Sequence, residues 1–304
     1  MGRLVDGKWI ASSVITSDDS GAYDRVPRSF LNILSDNGTE YKAELGRYHL
    51  YVSFACPWAH RTLIFRKLKK LEDIVSVSVV HPDMMDDGWV FDSSFPGATS
   101  DHIFNFDYLR EVYQKSDPKI STTVTVPILF DKKTKTIVNN ESSQIIRIFN
   151  SAFNQITGNN ENYYPDNLTA EIDQVNDFIY HNINNGVYKT GFSKNQKNYE
   201  LNCENLFNAL DKLELKLENQ DFLVGNQLTE ADIRLVPTLI RFDSVYYIHF
   251  KCSKKLIKDY KNLSRYLNSM FKISAISETT NIDHIKRHYY FSHRELNPYG
   301  LIPL

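Results

Sequence analysis

The chain has 304 residues, 42% hydrophobic and 13% aromatic, enough for one large or two ordinary domains with a substantial core. Its 35 Lys and Arg are interleaved with 37 Asp and Glu, and a net charge of -2 gives no general attraction to nucleic acid or to an anionic membrane. Three scattered cysteines, Cys56, Cys203 and Cys252, make no disulfide framework, the start lacks the apolar core of a signal peptide, and no apolar run is long enough to span a bilayer, so a reducing, cytoplasmic setting is expected.

Residues 1–45 are polar and turn-rich, and read as an arm lying on the body of the protein. Residues 47–55 read as a strand and 57–71 as an amphipathic helix, and Val75 to Val80 alternates at period two as a second strand. This β-α-β unit implies a parallel pair with a right-handed crossover. The connection over 81–120 is long for a compact domain, which is often a functional sign; it holds Gly88-Trp89 and a helix-like stretch from Asp107 to Tyr113. Thr125 to Asp131 is an apolar strand headed by Pro127, Lys132 to Lys135 make a charged turn, and Thr136 to Val138 form a short strand. Asn139-Asn140-Glu141-Ser142-Ser143 opens a helix running through Phe149, with Asn140 expected as its cap.

The order β-α-β then β-β-α is that of thioredoxin. The expected fold class is therefore an α/β thioredoxin-like N-terminal domain, residues 46–150, followed by an all-α C-terminal domain, residues 168–304. Residues 151–167 are rich in Asn, Gly and Pro and read as the linker. Beyond them only helical patterns occur, over Leu168–Asn182, Asn195–Glu218, Thr229–Arg241, Leu263–Phe271 and Ile282–Tyr290. Thr229 and Asp232 form a capping pair to which no chemistry is assigned.

The chemistry centres on Cys56. An apolar strand stops at this cysteine, and Pro57 follows at a position suited to the first turn of a helix. Unpaired backbone N–H groups and the positive end of the helix dipole favour the thiolate there, which is the form that attacks sulfur. A dithiol oxidoreductase carries its second cysteine where this chain has Ala59. Such a site can attack a sulfur but cannot resolve its own disulfide, so it needs an outside thiol.

A thioredoxin-like half followed by a helical half is the plan of glutathione transferases. Cys56-Pro57-Trp58-Ala59-His60-Arg61, Asp87-Gly88-Trp89, Thr125-Val126-Pro127, Asn139-Asn140-Glu141-Ser142-Ser143, Gly186-Val187-Tyr188-Lys189 and the His284 to His293 segment resemble one family over the whole chain. It is the glutathionyl-hydroquinone reductases, the Xi class of glutathione transferases. Omega-class transferases share the cysteine but not the His-Tyr-Tyr tail.

The resemblance implies glutathione as co-substrate with no bound cofactor, an aromatic glutathionyl-hydroquinone as substrate, and a homodimer. It implies that Cys56, Tyr188 and Tyr290 are catalytic, with Tyr289 and Tyr299 as weaker candidates. It also implies that Trp89, Val126, Pro127, Glu141 and Ser142 bind glutathione, with a cis bond before Pro127 turning the Val126 backbone toward Cys56. Read without the family, Val126-Pro127 is an ordinary edge proline, and Trp89 either walls a site or anchors a loop. Glu141 and Ser142 can cap a helix and hold the γ-glutamyl group at once. His284, His288 and His293 lack the glutamate and further ligands of a metal motif, and read as surface or packing residues. Cys203 and Cys252 have no activating context.

Two rival functions share these features. One is an omega-like thioltransferase or dehydroascorbate reductase using the same cysteine. The other is a transferase fold kept as a binding module, against which the retained Cys56 argues.

Overall fold

The computed structural model describes residues 2–12, 28–34 and 40–304. The rest of the expected arm, residues 1, 13–27 and 35–39, lies outside the described residues.

The chain opens with a hairpin that sequence reading missed. Strands β1 (Gly2–Val5) and β2 (Lys8–Ala11) pair antiparallel around Asp6-Gly7, both at positive φ. Asp-Gly at the two central positions is the pair that a tight hairpin turn demands, and this was the available signal. The strands are only four residues each, so their alternation is too brief to stand out.

The central sheet has four strands: β3 (Tyr48–Val52), β4 (Ser76–Val79), β6 (Ile128–Asp131) and β7 (Thr136–Asn139), in the order β4-β3-β6-β7. β3 runs parallel to β4 and antiparallel to β6, with Leu50 opposite Val77 and Leu129. Every residue of β3 and β6 is buried, as expected of strands covered on both faces. Between β4 and β6 the two-residue strand β5 (Thr122–Thr123) pairs with β1, which pins the segment leading into Val126.

Helix α1 (Pro57–Leu68) crosses from β3 to β4 and packs against α3 (Ser142–Ser151), while α2 (Leu109–Ser116) packs on β7. The segment read as a linker contains the short helix α4 (Asn154–Thr157). The remaining helices are α5 (Thr169–Ile179), α6 (Gly186–Gly191), α7 (Gln196–Lys216), α8 (Glu230–Arg241), α9 (Lys261–Phe271), α10 (Ser274–Ser277) and α11 (Ile282–Arg287). α8 starts with the expected capping box, in which the Thr229 N–H donates to the Asp232 carboxylate at 2.9 Å.

α8 packs on α1 and joins the two halves. Three of these helices, α5, α8 and α11, continue directly into one π turn each: Tyr180–Asn184, Phe242–Tyr246 and His288–Ser292. A π turn widens the helix and rotates every later side chain, and such turns cluster at functional sites. No helix among the described residues is long and apolar enough to cross a membrane.

Candidate active site

Cys56 is the N-cap of α1, in extended conformation with Pro57 in the first helical turn. It is half-buried, and its Sγ lies 3.6 Å from the carbonyl oxygen of Val126. The Val126-Pro127 peptide bond is cis. Ala59, one turn along, is fully buried, so no second thiol stands near the first.

The loop carrying Cys56 is held from behind by Arg241, the last residue of α8. This guanidinium is fully buried. Its Nε donates to the Ala55 carbonyl at 2.9 Å, and its Nη2 to the Phe54 carbonyl at 2.9 Å. Nη1 donates to the Pro237 carbonyl at 2.8 Å and to Nδ1 of His60 at 3.2 Å. Because a guanidinium can only donate, His60 Nδ1 is an acceptor and its Nε2–H faces the Thr279 hydroxyl at 3.1 Å. Burial first, and then the Arg241 charge, push the His60 pKa well below its usual value, so the ring is neutral. No carboxylate pairs with Arg241 among the described residues. Its charge is satisfied by backbone carbonyls, and it adds a fixed cation behind the thiol.

Glu141, not Asn140, caps α3. The Glu141 carboxylate accepts from the Ser143 N–H at 2.9 Å and from the Ser143 hydroxyl at 2.9 Å. Asn140 is turned into the protein, where its Oδ1 accepts from the Phe30 N–H and its Nδ2 donates to the Tyr113 hydroxyl. Burial raises the Glu141 pKa, but the Ser143 hydrogen bonds and the Arg28 and Arg61 charges lower it more, and the net shift is downward. Val126, Pro127, Glu141 and Ser142 line one groove with Trp58, Arg28 and Tyr180.

A second cavity of about 150 Å³ opens at Cys56 and shares Trp58, Val126 and Arg28 with that groove. Trp89 and Tyr188 line it, as do Phe192, His288 and His293. The hairpin adds Trp9, whose indole N–H donates to the Asp86 carbonyl at 2.9 Å. Gly88 has φ +74° and lies so close to Trp9 that a Cβ would sit 2.8 Å from the indole ring. Cys56, Trp89, Val126 and Tyr188 therefore meet at one cavity.

Tyr290 is bonded differently from these four. Its hydroxyl donates to the Ser244 carbonyl at 2.9 Å, and it does not line the cavity. Its neighbour Tyr289 does not line the cavity either but is joined to it through Tyr188: the Tyr289 hydroxyl is 2.6 Å from that of Tyr188 and 3.1 Å from that of Tyr246. Burial first, then mutual proximity, raise the Tyr289 pKa well above its usual value, and burial raises that of Tyr246. Both phenols stay protonated at neutral pH, and the chain of three hydroxyls ends at Tyr188 on the cavity wall. Tyr299 is 85% exposed and lies away from this site.

The histidines pack, as one of the two expectations held, but none is at the surface. His284 Nε2 lies 2.9 Å from the Pro96 carbonyl. His288 donates from Nδ1 to the Pro82 carbonyl at 2.8 Å and stacks on Trp89 with ring centroids 4.8 Å apart. Burial lowers its pKa to about 4. Sequence reading left His288, His293 and Trp58 out of the site. The signal available was Trp58 within the Cys56 motif itself. No group of three or more His, Cys, Asp or Glu among the described residues has the arrangement of a metal site. Cys203 and Cys252 are buried, and burial pushes both thiols up.

This geometry has close counterparts among known proteins. Residues 55–152 match the family model of the glutathione S-transferase N-terminal domain, and residues 196–269 that of the glutathione S-transferase C-terminal domain. The crystal structure of the glutathione S-transferase Xi from Phanerochaete chrysosporium is 49% identical, with a TM-score of 0.93 over 95% of this chain and 94% of that one. The chain belongs to the Xi class of glutathione transferases. Glutathionyl-hydroquinone reductase YqjG of Escherichia coli is 49% identical over 100% of this chain and 95% of its own length. The glutathione-bound structure of YqjG superposes with a TM-score of 0.91 over 100% of this chain and 95% of that one, at 47% identity. As in other Xi-class transferases, the α/β half is thioredoxin-like and the second half is all helical.

Proposed function

We propose that this chain reduces glutathionyl-hydroquinones to hydroquinones, using glutathione as the second substrate. The observation that carries this reading is the single thiol of Cys56 at a helix start, beside the Val126 carbonyl and open to an aromatic cavity with a phenol on its wall. Glutathione lies along the groove of Val126, Pro127, Glu141 and Ser142, and the aromatic ring occupies the cavity of Trp89 and Tyr188. In this assignment Glu141 accepts from the γ-glutamyl ammonium and the start of α3 faces its carboxylate.

The Cys56 thiolate attacks the glutathione sulfur and displaces the ring carbon. Carbon is ordinarily a poor leaving group from sulfur. In the keto tautomer of the ring, however, the departing electron pair moves onto the carbonyl oxygen and restores the aromatic hydroquinone. Tyr188, backed by Tyr289 and Tyr246, donates to that oxygen as charge develops. That oxygen takes up a proton to become the hydroquinone hydroxyl, and the ring carbon, which gained its hydrogen from the hydroxyl on tautomerisation, is left reduced by two electrons. The products of this half-reaction are the hydroquinone and a Cys56–glutathione disulfide. A second glutathione thiolate then attacks this disulfide, releases oxidised glutathione and regenerates the Cys56 thiolate. Ala59 is consistent with this order, because no internal thiol competes with glutathione. A cytoplasmic homodimer is part of the same proposal.

The test is mass spectrometry of Cys56 after incubation with a glutathionyl-hydroquinone in the absence of free glutathione. A glutathione adduct on Cys56 with stoichiometric hydroquinone release is expected. Turnover of a small glutathione disulfide without any turnover of the aromatic conjugate would select the omega-like thioltransferase instead.

A further inference from the structure

The cavity wall carries an acceptor that the proposed reaction does not use. His288 has one ring nitrogen committed: a carbonyl can only accept, so Nδ1 carries the proton that bonds the Pro82 oxygen at 2.8 Å. The tautomer is thereby set, and Nε2 of the neutral ring bears a lone pair. Stacking on Trp89, at 4.8 Å and 22° between ring planes, holds the imidazole in place. Pro82 and Trp89 both belong to the long connection after β4, and that connection is itself clamped to the C-terminal segment. Arg287 forks onto the Asp83 carboxylate at 2.6 and 2.7 Å, and the Met84 N–H donates to the Ser292 hydroxyl at 2.9 Å. His288 is therefore a fixed group, and its ring lines the cavity while Nε2 has no partner among the described residues.

We propose that Nε2 of His288 accepts a hydrogen bond from the ring hydroxyl remote from the thioether and makes the site selective for hydroquinone rings. The proposal rests on the reductase reading of the same cavity. A hydroquinone presents two hydroxyls, and the phenol chain ending at Tyr188 donates to only one oxygen. The remote oxygen meets a lone pair only if it carries a hydrogen. A ring without that hydroxyl, or a quinone whose remote oxygen is a carbonyl, offers this acceptor no hydrogen. Sites built to bond a substrate hydroxyl discriminate against analogues that lack it. His293 lines the same cavity but pairs through Nδ1 with His249 Nε2 at 3.1 Å, which leaves its tautomer undetermined, so His288 is the better-defined acceptor.

The test compares kcat/KM for 2-glutathionyl-1,4-hydroquinone and for 2-glutathionylphenol, which keeps the hydroxyl beside sulfur and lacks the remote one. The intrinsic difference in ring reactivity cancels when proteins rather than substrates are compared. His288→Phe is expected to lower the preference for the hydroquinone on the order of tenfold, the size of one lost hydrogen bond. His288→Gln, which restores an acceptor oxygen at similar reach, recovers part of it. An equal fall for both conjugates in His288→Phe would overturn the proposal, as would loss of the preference in His293→Phe but not in His288→Phe. A second measurement needs no turnover and no variant: the ¹⁵N spectrum of the histidine-labelled wild-type protein, titrated with hydroquinone. The unprotonated nitrogen of His288 is expected to shift on binding, and an unmoved signal at saturation overturns the assignment. Failure of the wild type to turn over the hydroquinone conjugate would sink the reductase reading alone.

Discussion

The hydroxyl of Tyr188 lies 2.6 Å from that of Tyr289, whereas Tyr290 donates its hydroxyl 2.9 Å away to the carbonyl of Ser244. Two adjacent tyrosines thus point into different environments, and only one is joined to the cavity of Cys56. Tyr289→Phe is expected to lower kcat on a glutathionyl-hydroquinone by about 10- to 100-fold, because it cuts the hydroxyl chain behind the donor. Tyr290→Phe should leave kcat within about twofold and cost about 1 kcal/mol of stability, the value of one hydrogen bond. Steady-state kinetics with parallel thermal melts check this. A larger kinetic loss in the Tyr290 variant would restore that residue to the site.

Introducing a thiol at Ala59 should convert the chemistry. Cys56 caps the helix and Ala59 lies one turn along, fully buried against the core. In Ala59→Cys the new thiol competes with glutathione for the mixed disulfide, so an internal disulfide between Cys56 and the introduced thiol accumulates instead of the glutathione adduct. Intact-mass measurement under non-reducing conditions distinguishes the two. Persistence of the adduct at wild-type levels would show that the buried position cannot reach Cys56.

Arg241 supplies a third prediction. Its guanidinium binds the carbonyls of Phe54, Ala55 and Pro237 with no carboxylate partner among the described residues. Arg241→Met leaves buried carbonyls unsatisfied, and a loss of about 3–5 kcal/mol is expected from a buried network broken on one side. Arg241→Lys keeps the charge but not the planar fork. It should slow glutathionylation of Cys56 more than it lowers the melting temperature, as measured by single-turnover adduct formation beside denaturation. An unchanged adduct rate in a folded Lys variant would remove Arg241 from the positioning of the thiol.

Acid sensitivity should report Glu141. Burial raises its pKa, but the Ser143 bonds and the Arg28 and Arg61 charges outweigh burial and hold it below the ordinary 4.5. A depressed carboxylate contributes stability that is complete above the unfolded pKa and is lost as pH falls through the lower folded value. Glu141→Gln should therefore be less stable than wild type at pH 7 and converge with it at low pH. Urea melts across that range check the sign. The same variant should bind glutathione more weakly by calorimetry, through loss of the carboxylate facing the ammonium group.

Much of this architecture was legible because it rests on local rules. The apolar strand stopping at Cys56, the proline after it and the capping pair Thr229–Asp232 all signal their structure within a few residues. Other features escaped for identifiable reasons. Strands β1 and β2 are four residues long, and their Asp6-Gly7 turn was the sole strong clue. Asn140 and Glu141 are both acceptable caps, and Asn140 is withdrawn by its bonds to Phe30 and Tyr113, which are distant in sequence. His288 reads as a packing histidine, and it does pack, but it packs on Trp89 at the cavity wall.

The chemistry of the attack is written in a few adjacent residues. A lone thiol at a helix start, with Ala59 where a second would stand, defines a nucleophile that depends on an external thiol whatever surrounds it. The groups that face that thiol are set by long-range packing. Tyr289 and Tyr290 are adjacent in sequence, with Tyr290 the favoured candidate there, and lie about 100° apart around an ideal helix. The π turn from His288 to Ser292 shifts the helical phase, and the hydroxyls of Tyr188 and Tyr246, from two other segments, receive Tyr289. Helical periodicity encodes relative direction along one segment. Absolute direction is set by the partners it packs against, and those are brought together only by the fold.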